Sequence, residues 1–181
     1  ITTMAHTVSS SEDTGDVTIS SAAEINAASV TIDTSDGSGG SVDFDSTINS
    51  TTGNAALTIT SGGGAVAIDN VIGGNADDHL DGLTINSSAG AGTIALAAIG
   101  ANAEAGVDGG NVTIGNAATT LITLSGADYN VNGEILVKAA PTGGGNSGQN
   151  IKFTAGALVE VKTADDNITF SNAAIHLADA R

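Results

Sequence analysis

The chain has 181 residues and a mass of 17.4 kDa, with 20 acids against 4 bases for a net charge of −16, 25 Gly, 2% aromatic residues and no Cys. Phosphate neutralisation needs clustered Lys and Arg, so this balance argues against nucleic-acid binding, while disulfide stapling is impossible and no apolar run reaches the length of a membrane-spanning helix. An apolar share of 40%, grouped rather than scattered, together with only 13% charged residues separates the chain from an acidic disordered linker.

Residues 1–16 read as a polar segment or partial cap, with Ser9-Ser10-Ser11-Glu12-Asp13 placed to cover one end weakly. A chain opening on Ile1 reads as processed or as a segment of a longer polypeptide. Residues 17–181 read as one repeat domain. A triplet with a central Thr between β-branched or aliphatic residues begins at Val17-Thr18-Ile19 and recurs as Val30-Thr31-Ile32, Leu57-Thr58-Ile59, Leu83-Thr84-Ile85, Val112-Thr113-Ile114 and Ile168-Thr169-Phe170. From the second to the fifth copy the spacings are 27, 26 and 29 residues. Each of these four is followed by a second short strand: Val42-Asp43-Phe44, Val66-Ala67-Ile68, Ile94-Ala95-Leu96 and Ile122-Thr123-Leu124. Late in the chain Ile151-Lys152-Phe153 pairs with Val159-Glu160-Val161, and Ile168-Thr169-Phe170 with Ile175-His176-Leu177.

Apolar residues at i and i+2 point to one face of a strand, and no segment holds a 3.6-residue period. Gly-rich stretches such as Asp36-Gly37-Ser38-Gly39-Gly40, Gly62-Gly63-Gly64 and Gly143-Gly144-Gly145-Asn146 supply the corners. An antiparallel sandwich would want longer strands and buried aromatics. Three-residue strands at a period near 26 predict instead an all-β, right-handed parallel β-helix of about six to seven coils, its strands stacked about 4.8 Å apart.

Gly110-Asn111-Val112-Thr113-Ile114, Ala56-Leu57-Thr58-Ile59-Thr60 and Leu83-Thr84-Ile85-Asn86-Ser87-Ser88-Ala89-Gly90 resemble repeat units of filamentous-haemagglutinin-like and related β-strand-repeat bacterial surface adhesins. The resemblance covers about residues 15 to 178 and lies in composition and rhythm. It implies a secreted β-helix rod serving as an adhesin stalk or fibre on the bacterial surface. The secretion domain of haemagglutinin-type proteins has no counterpart in the chain.

Calcium is the one cofactor expected. Gly73-Gly74-Asn75-Ala76-Asp77-Asp78-His79-Leu80-Asp81-Gly82 resembles the calcium-binding repeats-in-toxin nonapeptide, with Ala76 where that family has Gly and with a single copy. Asp77, Asp78 and Asp81 are the candidate ligands, since carboxylates and turn carbonyls suit a hard cation. The alternative is an acidic solvated corner. Asp33 with Asp36, Asp43 with Asp45, and Asp165 with Asp166 are weaker versions of the pattern.

No catalytic residue is expected. Adjacent carboxylates on a strand face opposite ways, and lyases of acidic sugars need cations near the reacting carbon, whereas the only Arg is Arg181. A polysaccharide-processing β-helix enzyme is the remote alternative. His6, His79 and His176 lack ligand spacing and read as surface residues. Tyr129 is the aromatic expected outside the core, packed on a turn or offered to a glycan. Sequons at Asn49, Asn86, Asn111 and Asn167 match chance for this composition.

A solenoid needs caps over its open strand edges, and Ile175 to Arg181 form no amphipathic helix. The expected partners are therefore copies of the chain or adjoining repeats, end to end, with host or cell-surface glycans as further candidates. The alternative function is a self-assembling subunit of an extracellular filament, sheath or surface layer.

Overall fold

The computed structural model describes residues 5–9, 15–51, 55–74, 77–86, 92–101, 104–141, 150–155, 158–164, 166–171 and 174–177. Asn75, Ala76, Asp165, Ser10 to Asp13 and the Gly143–Asn146 corner lie outside them.

Among the described residues every regular element is a strand. In chain order these are β1 (Ala5–Ser9), β2 (Val17–Ile19), β3 (Ala23–Ile25), β4 (Ser29–Asp33), β5 (Val42–Phe44), β6 (Ile48–Ser50), β7 (Ala56–Thr60), β8 (Val66–Ile72) and β9 (Gly82–Ile85). They continue as β10 (Thr93–Ile99), β11 (Val112–Ile114), β12 (Leu121–Leu124), β13 (Asp128–Val131), β14 (Ile135–Lys138), β15 (Ile151–Phe153), β16 (Glu160–Thr163), β17 (Ile168–Ser171) and β18 (Ile175–Leu177).

The strands wind into a parallel β-solenoid with three sides. The first side stacks β1, β4, β7, β9, β11, β14 and β17. The second stacks β2, β5, β8, β10, β12, β15 and β18. The long strands β8 and β10 run on around a corner, and their second halves join β3, β6, β13 and β16 in the third side. The solenoid has about five turns, slightly fewer than the six to seven coils expected.

Parallel in-register stacking piles equivalent side chains on one another. Leu57, Leu83, Val112 and Ile135 form one buried column of the first side, and Ile59, Ile85, Ile114 and Val137 the next. Val42, Val66, Ile94, Ile122 and Ile151 line the second side beside Phe44, Ile68, Leu96, Leu124 and Phe153. On the third side Ile48, Ile72, Ile99 and Tyr129 stack between half-buried Ala23 and Val161. With buried Leu80, Val107 and Val131, which stack on one another, these columns make up most of the interior, and their i, i+2 spacing is why short aliphatic triplets suffice. Outside the first side runs a column of Thr31, Thr58, Thr84 and Thr113, whose branched side chains fit the pleated surface.

The corners explain part of the glycine content. A Cβ on Gly40 would collide with the Gly15 carbonyl, one on Gly64 with the Gly40 carbonyl and one on Gly92 with the Gly64 carbonyl. The backbone of one turn thus sits directly on that of the next. At another corner buried Asn86 takes a left-handed conformation, φ 49°. Its Oδ1 accepts from the Ser61 N–H at 2.8 Å and its Nδ2 donates to Ser61 Oγ at 3.0 Å, so a polar interior position is fully paired across turns.

Candidate functional site

The acidic residues are distributed by the register. Asp77 is exposed, and Asp78 is half-buried with its carbonyl accepting from the Ser50 N–H at 2.9 Å. Exposed Asp81 follows Leu80, which bridges to Val107, so Asp81 sits over Asp108 of the next turn. Asp108 has polar neighbours of its own: Asn132 Nδ2 donates to its Oδ1 at 2.7 Å, and His79 Nε2 lies 3.8 Å from its Oδ2. Asp77, Asp78 and Asp81 do not converge as a set of three ligands.

A different set does. Among the described residues, Asp43, Asp45 and Asp69 are the group of three whose carboxylate oxygens lie within 4.8 Å of one another. Asp43 and Asp45 are two apart, on and just after β5, and so share a face. Asp69 follows Ile68, which pairs with Phe44, and therefore stands beside Asp45 one turn on. The signal was present in the sequence as the alignment of Val42-Asp43-Phe44-Asp45 with Val66-Ala67-Ile68-Asp69 at an offset of 24 residues. Asp45 and Asp69 are exposed, while Asp43 is half-buried and its Oδ1 has neither solvent access nor a hydrogen-bond partner. Burial first, then repulsion from Asp45 and Asp69, raises the Asp43 pKa above the ordinary carboxylate value.

Tyr129 corrects an expectation. It is not a solvent-facing platform but 3% exposed, a member of the third-side column. Its hydroxyl oxygen accepts from the Gly126 N–H at 2.9 Å, and its single proton is shared between the Ala97 and Leu96 carbonyls at 2.8 and 2.9 Å. Burial raises its pKa, opposed by the Gly126 hydrogen bond. His176 stands in the outward register beside Lys152, half-buried rather than fully at the surface.

The large exposed apolar side chains are gathered at one end. Leu158 is 87% exposed, Leu177 72%, Ile175 47% and Ile168 40%, all on the last strands or the loop beside them. Among the described residues no helix is long and apolar enough to cross a membrane.

Fold and surface together define a three-sided parallel β-solenoid with an aliphatic interior and an acidic exterior. No protein-family model matches the chain, and no curated protein or solved structure matches it either.

Proposed function

We propose that this chain is a non-enzymatic structural rod of a bacterial cell surface or its surroundings, part of an adhesive stalk or fibre. The observation that supports this reading is the in-register stacking of mostly aliphatic columns on three sides, a construction that gives length and stiffness and can be extended by adding turns. The repeat-like phrases of the first side support the adhesin branch, and the columns now explain their rhythm. Glycans are the partner class proposed for the exterior, reached through polar turns rather than through Tyr129, whose ring is buried. The test is labelling of intact source cells with an antibody to this chain, followed by binding of the purified chain to host-cell and glycan surfaces. Surface labelling is expected. Confinement to the cell interior would overturn the reading, and surface labelling without binding would reduce it from adhesin to scaffold.

A further inference from the structure

Of the 15 Asn in the chain, Asn132 is the one followed by Gly. That dipeptide is the most reactive setting for an asparagine amide. Glycine has no Cβ to shield its own nitrogen, which therefore reaches the neighbouring side-chain carbonyl unhindered. The fold places Asn132-Gly133 at a corner between β13 and β14.

Stacking explains why the second residue is Gly. A Cβ on Gly133 would collide with the Gly110 carbonyl, and one on Gly110 with the Asp81 carbonyl, so successive turns pass this corner in backbone contact. Register sets the residue before it. Leu80 bridges to Val107 and Val107 to Val131, so Asp81, Asp108 and Asn132 follow them as one column, each with Gly next in sequence. Asn132 is the uncharged member of that column. It is exposed, and its Nδ2 donates to Asp108 Oδ1 at 2.7 Å.

We propose that Asn132 is a site of spontaneous deamidation, a modification that turns this column into three stacked carboxylates. Gly133 N attacks Asn132 Cγ. The new N–Cγ bond forms, the Cγ–Nδ2 bond breaks, and ammonia leaves with the proton that Gly133 N gives up. Water then adds to either carbonyl of the cyclic imide and breaks its bond to the ring nitrogen. The product is Asp or its β-linked isomer, with one water consumed and one ammonia released. The inference is independent of what the rod binds.

The surroundings single out this amide. The Asn132 N–H is held by the Val107 carbonyl at 2.9 Å and the Glu134 N–H by Asn111 Oδ1 at 3.0 Å. Between them, the Gly133 N–H has no hydrogen-bond partner among the described residues. The attacking nitrogen is thus uncommitted, and the side chain has only its contact with Asp108 to release. Asn86 is the contrast: it is buried, and both its side-chain oxygen and nitrogen are paired with Ser61. Exposed Asn111 has its Oδ1 engaged and is followed by β-branched Val112, whose side chain crowds the attacking nitrogen.

The two products disturb the corner differently. Asp removes the donor to Asp108 and adds a carboxylate at the strand spacing of about 4.8 Å, where like charges directly opposite one another are destabilising. The β-linked isomer also lengthens the backbone by one carbon between buried Val131 and buried Ile135, which are fixed in separate columns.

The test incubates the full 181-residue chain at neutral and at mildly alkaline pH and follows it by peptide mapping with mass spectrometry. The Asn132 peptide should convert several-fold ahead of every other Asn peptide and yield both Asp and the β-linked isomer. Conversion should be faster at the higher pH, because the attacking nitrogen has to lose its proton. Asn132→Gln, whose longer side chain closes the ring poorly, should keep its amide with an unchanged β spectrum. Asn132→Asp supplies one product directly. It should melt below wild type in low salt and recover much of the difference in high salt, since salt screens exposed carboxylates from one another. Conversion of another Asn ahead of Asn132 would overturn the site. So would an Asn132 that converts in urea but survives in the folded chain, because the corner would then be protecting it. A deficit in Asn132→Asp that salt leaves untouched would overturn the stacked carboxylates as the consequence.

Discussion

Replacing Tyr129 by Phe removes one oxygen from the interior and leaves the ring in its column between Ile99 and Val161. One accepted hydrogen bond and one proton shared by two carbonyls meet at that oxygen, and they are not equal losses. The Leu96 carbonyl keeps a backbone donor, the Ser125 N–H at 3.0 Å. The Gly126 N–H loses its acceptor at 2.9 Å, and the Ala97 carbonyl loses the hydroxyl at 2.8 Å. Ala97 O also sits so close to Gly126 that a Cβ there would collide with it, which leaves little room for a replacing water. One net hydrogen bond at about 1 kcal/mol plus an unpaired, part-buried N–H at about 1 kcal/mol gives a cost of about 2 kcal/mol. In a domain of this size that lowers Tm by roughly 4–8 °C. Urea denaturation of Tyr129→Phe beside wild type measures it. A second readout is alkaline pH. Burial raises the phenol pKa above its unfolded value of 10.0, so the folded state holds the proton longer, and its stabilising contribution is complete below that value and lost as pH rises above it. The Phe variant should lack that alkaline loss. A change in stability below about 0.5 kcal/mol, with the alkaline limb intact, would refute the assignment of this hydroxyl as the tie between turns.

Gly64→Ala should destabilise by about 2–3 kcal/mol in the same assay, because its Cβ has to displace the Gly40 backbone rather than a side chain. Asp43→Asn should stabilise the protein at neutral pH in chelator, by about 0.5 kcal/mol, since it removes one of three repelling carboxylates. The raised Asp43 pKa sets the sign: its folded form favours the proton, so its contribution to stability is fully present below the ordinary value of 3.8 and is lost as pH rises through the raised one, and the Asn variant should lack that change. Calcium is proposed for the acidic corners, with Asp77, Asp78 and Asp81 as the candidates of the sequence although the fold does not draw the three together: at about 10 mM, a site of the weak extracellular class would add about 1.4–2.7 kcal/mol. An identical Tm in chelator and calcium removes the proposal, and a gain abolished by Asp43→Asn but kept by Asp77→Asn with Asp81→Asn moves the ion to the other cluster.

The first two sides were legible in the sequence because their columns are apolar, mostly aliphatic, at both i and i+2. Val30, Leu57, Leu83 and Val112 fall on consecutive strands of the first side, which is why their spacings measure one turn each. Val17-Thr18-Ile19, read as the same triplet, belongs to the second side, where it precedes Val42-Asp43-Phe44. The triplet alone does not distinguish sides. β14 escaped notice because Leu136 replaces the central Thr of its column. The third side was hidden for a stronger reason. Ala23-Glu24-Ile25, Ile48-Asn49-Ser50 and Asp128-Tyr129-Asn130-Val131 mix small, charged and amide residues, and the buried Ser50 and Asn130 break the aliphatic alternation. Tyr129 was misplaced with them, since an aromatic between Asp128 and Asn130 carries no strand signal of its own. The Asp43, Asp45 and Asp69 cluster joins residues 26 positions apart and needed the register, not any local motif.

Register also governs how this chain carries so much acid. In a parallel stack a residue repeated at one position meets its own kind at about 4.8 Å, which rewards apolar and Thr repeats and penalises charged ones. The repeated outward column of the first side is accordingly Thr, not Asp. Acid lies over acid between adjacent turns at Asp81 with Asp108, Asp128 with Glu160, and Asp45 with Asp69. The first pair has Asn132 and His79 beside it, and in the second Lys162 Nζ lies 3.2 Å from Glu160 Oε2. Asp45 with Asp69 has a third carboxylate, Asp43, in place of a relieving group, and it is there that a pKa is driven upward. The net charge of −16 is therefore tolerated by staggering acids across columns. A variant that placed Asp at Thr58 and Thr84 together would set like charges one turn apart, and should cost more than the sum of the two single changes.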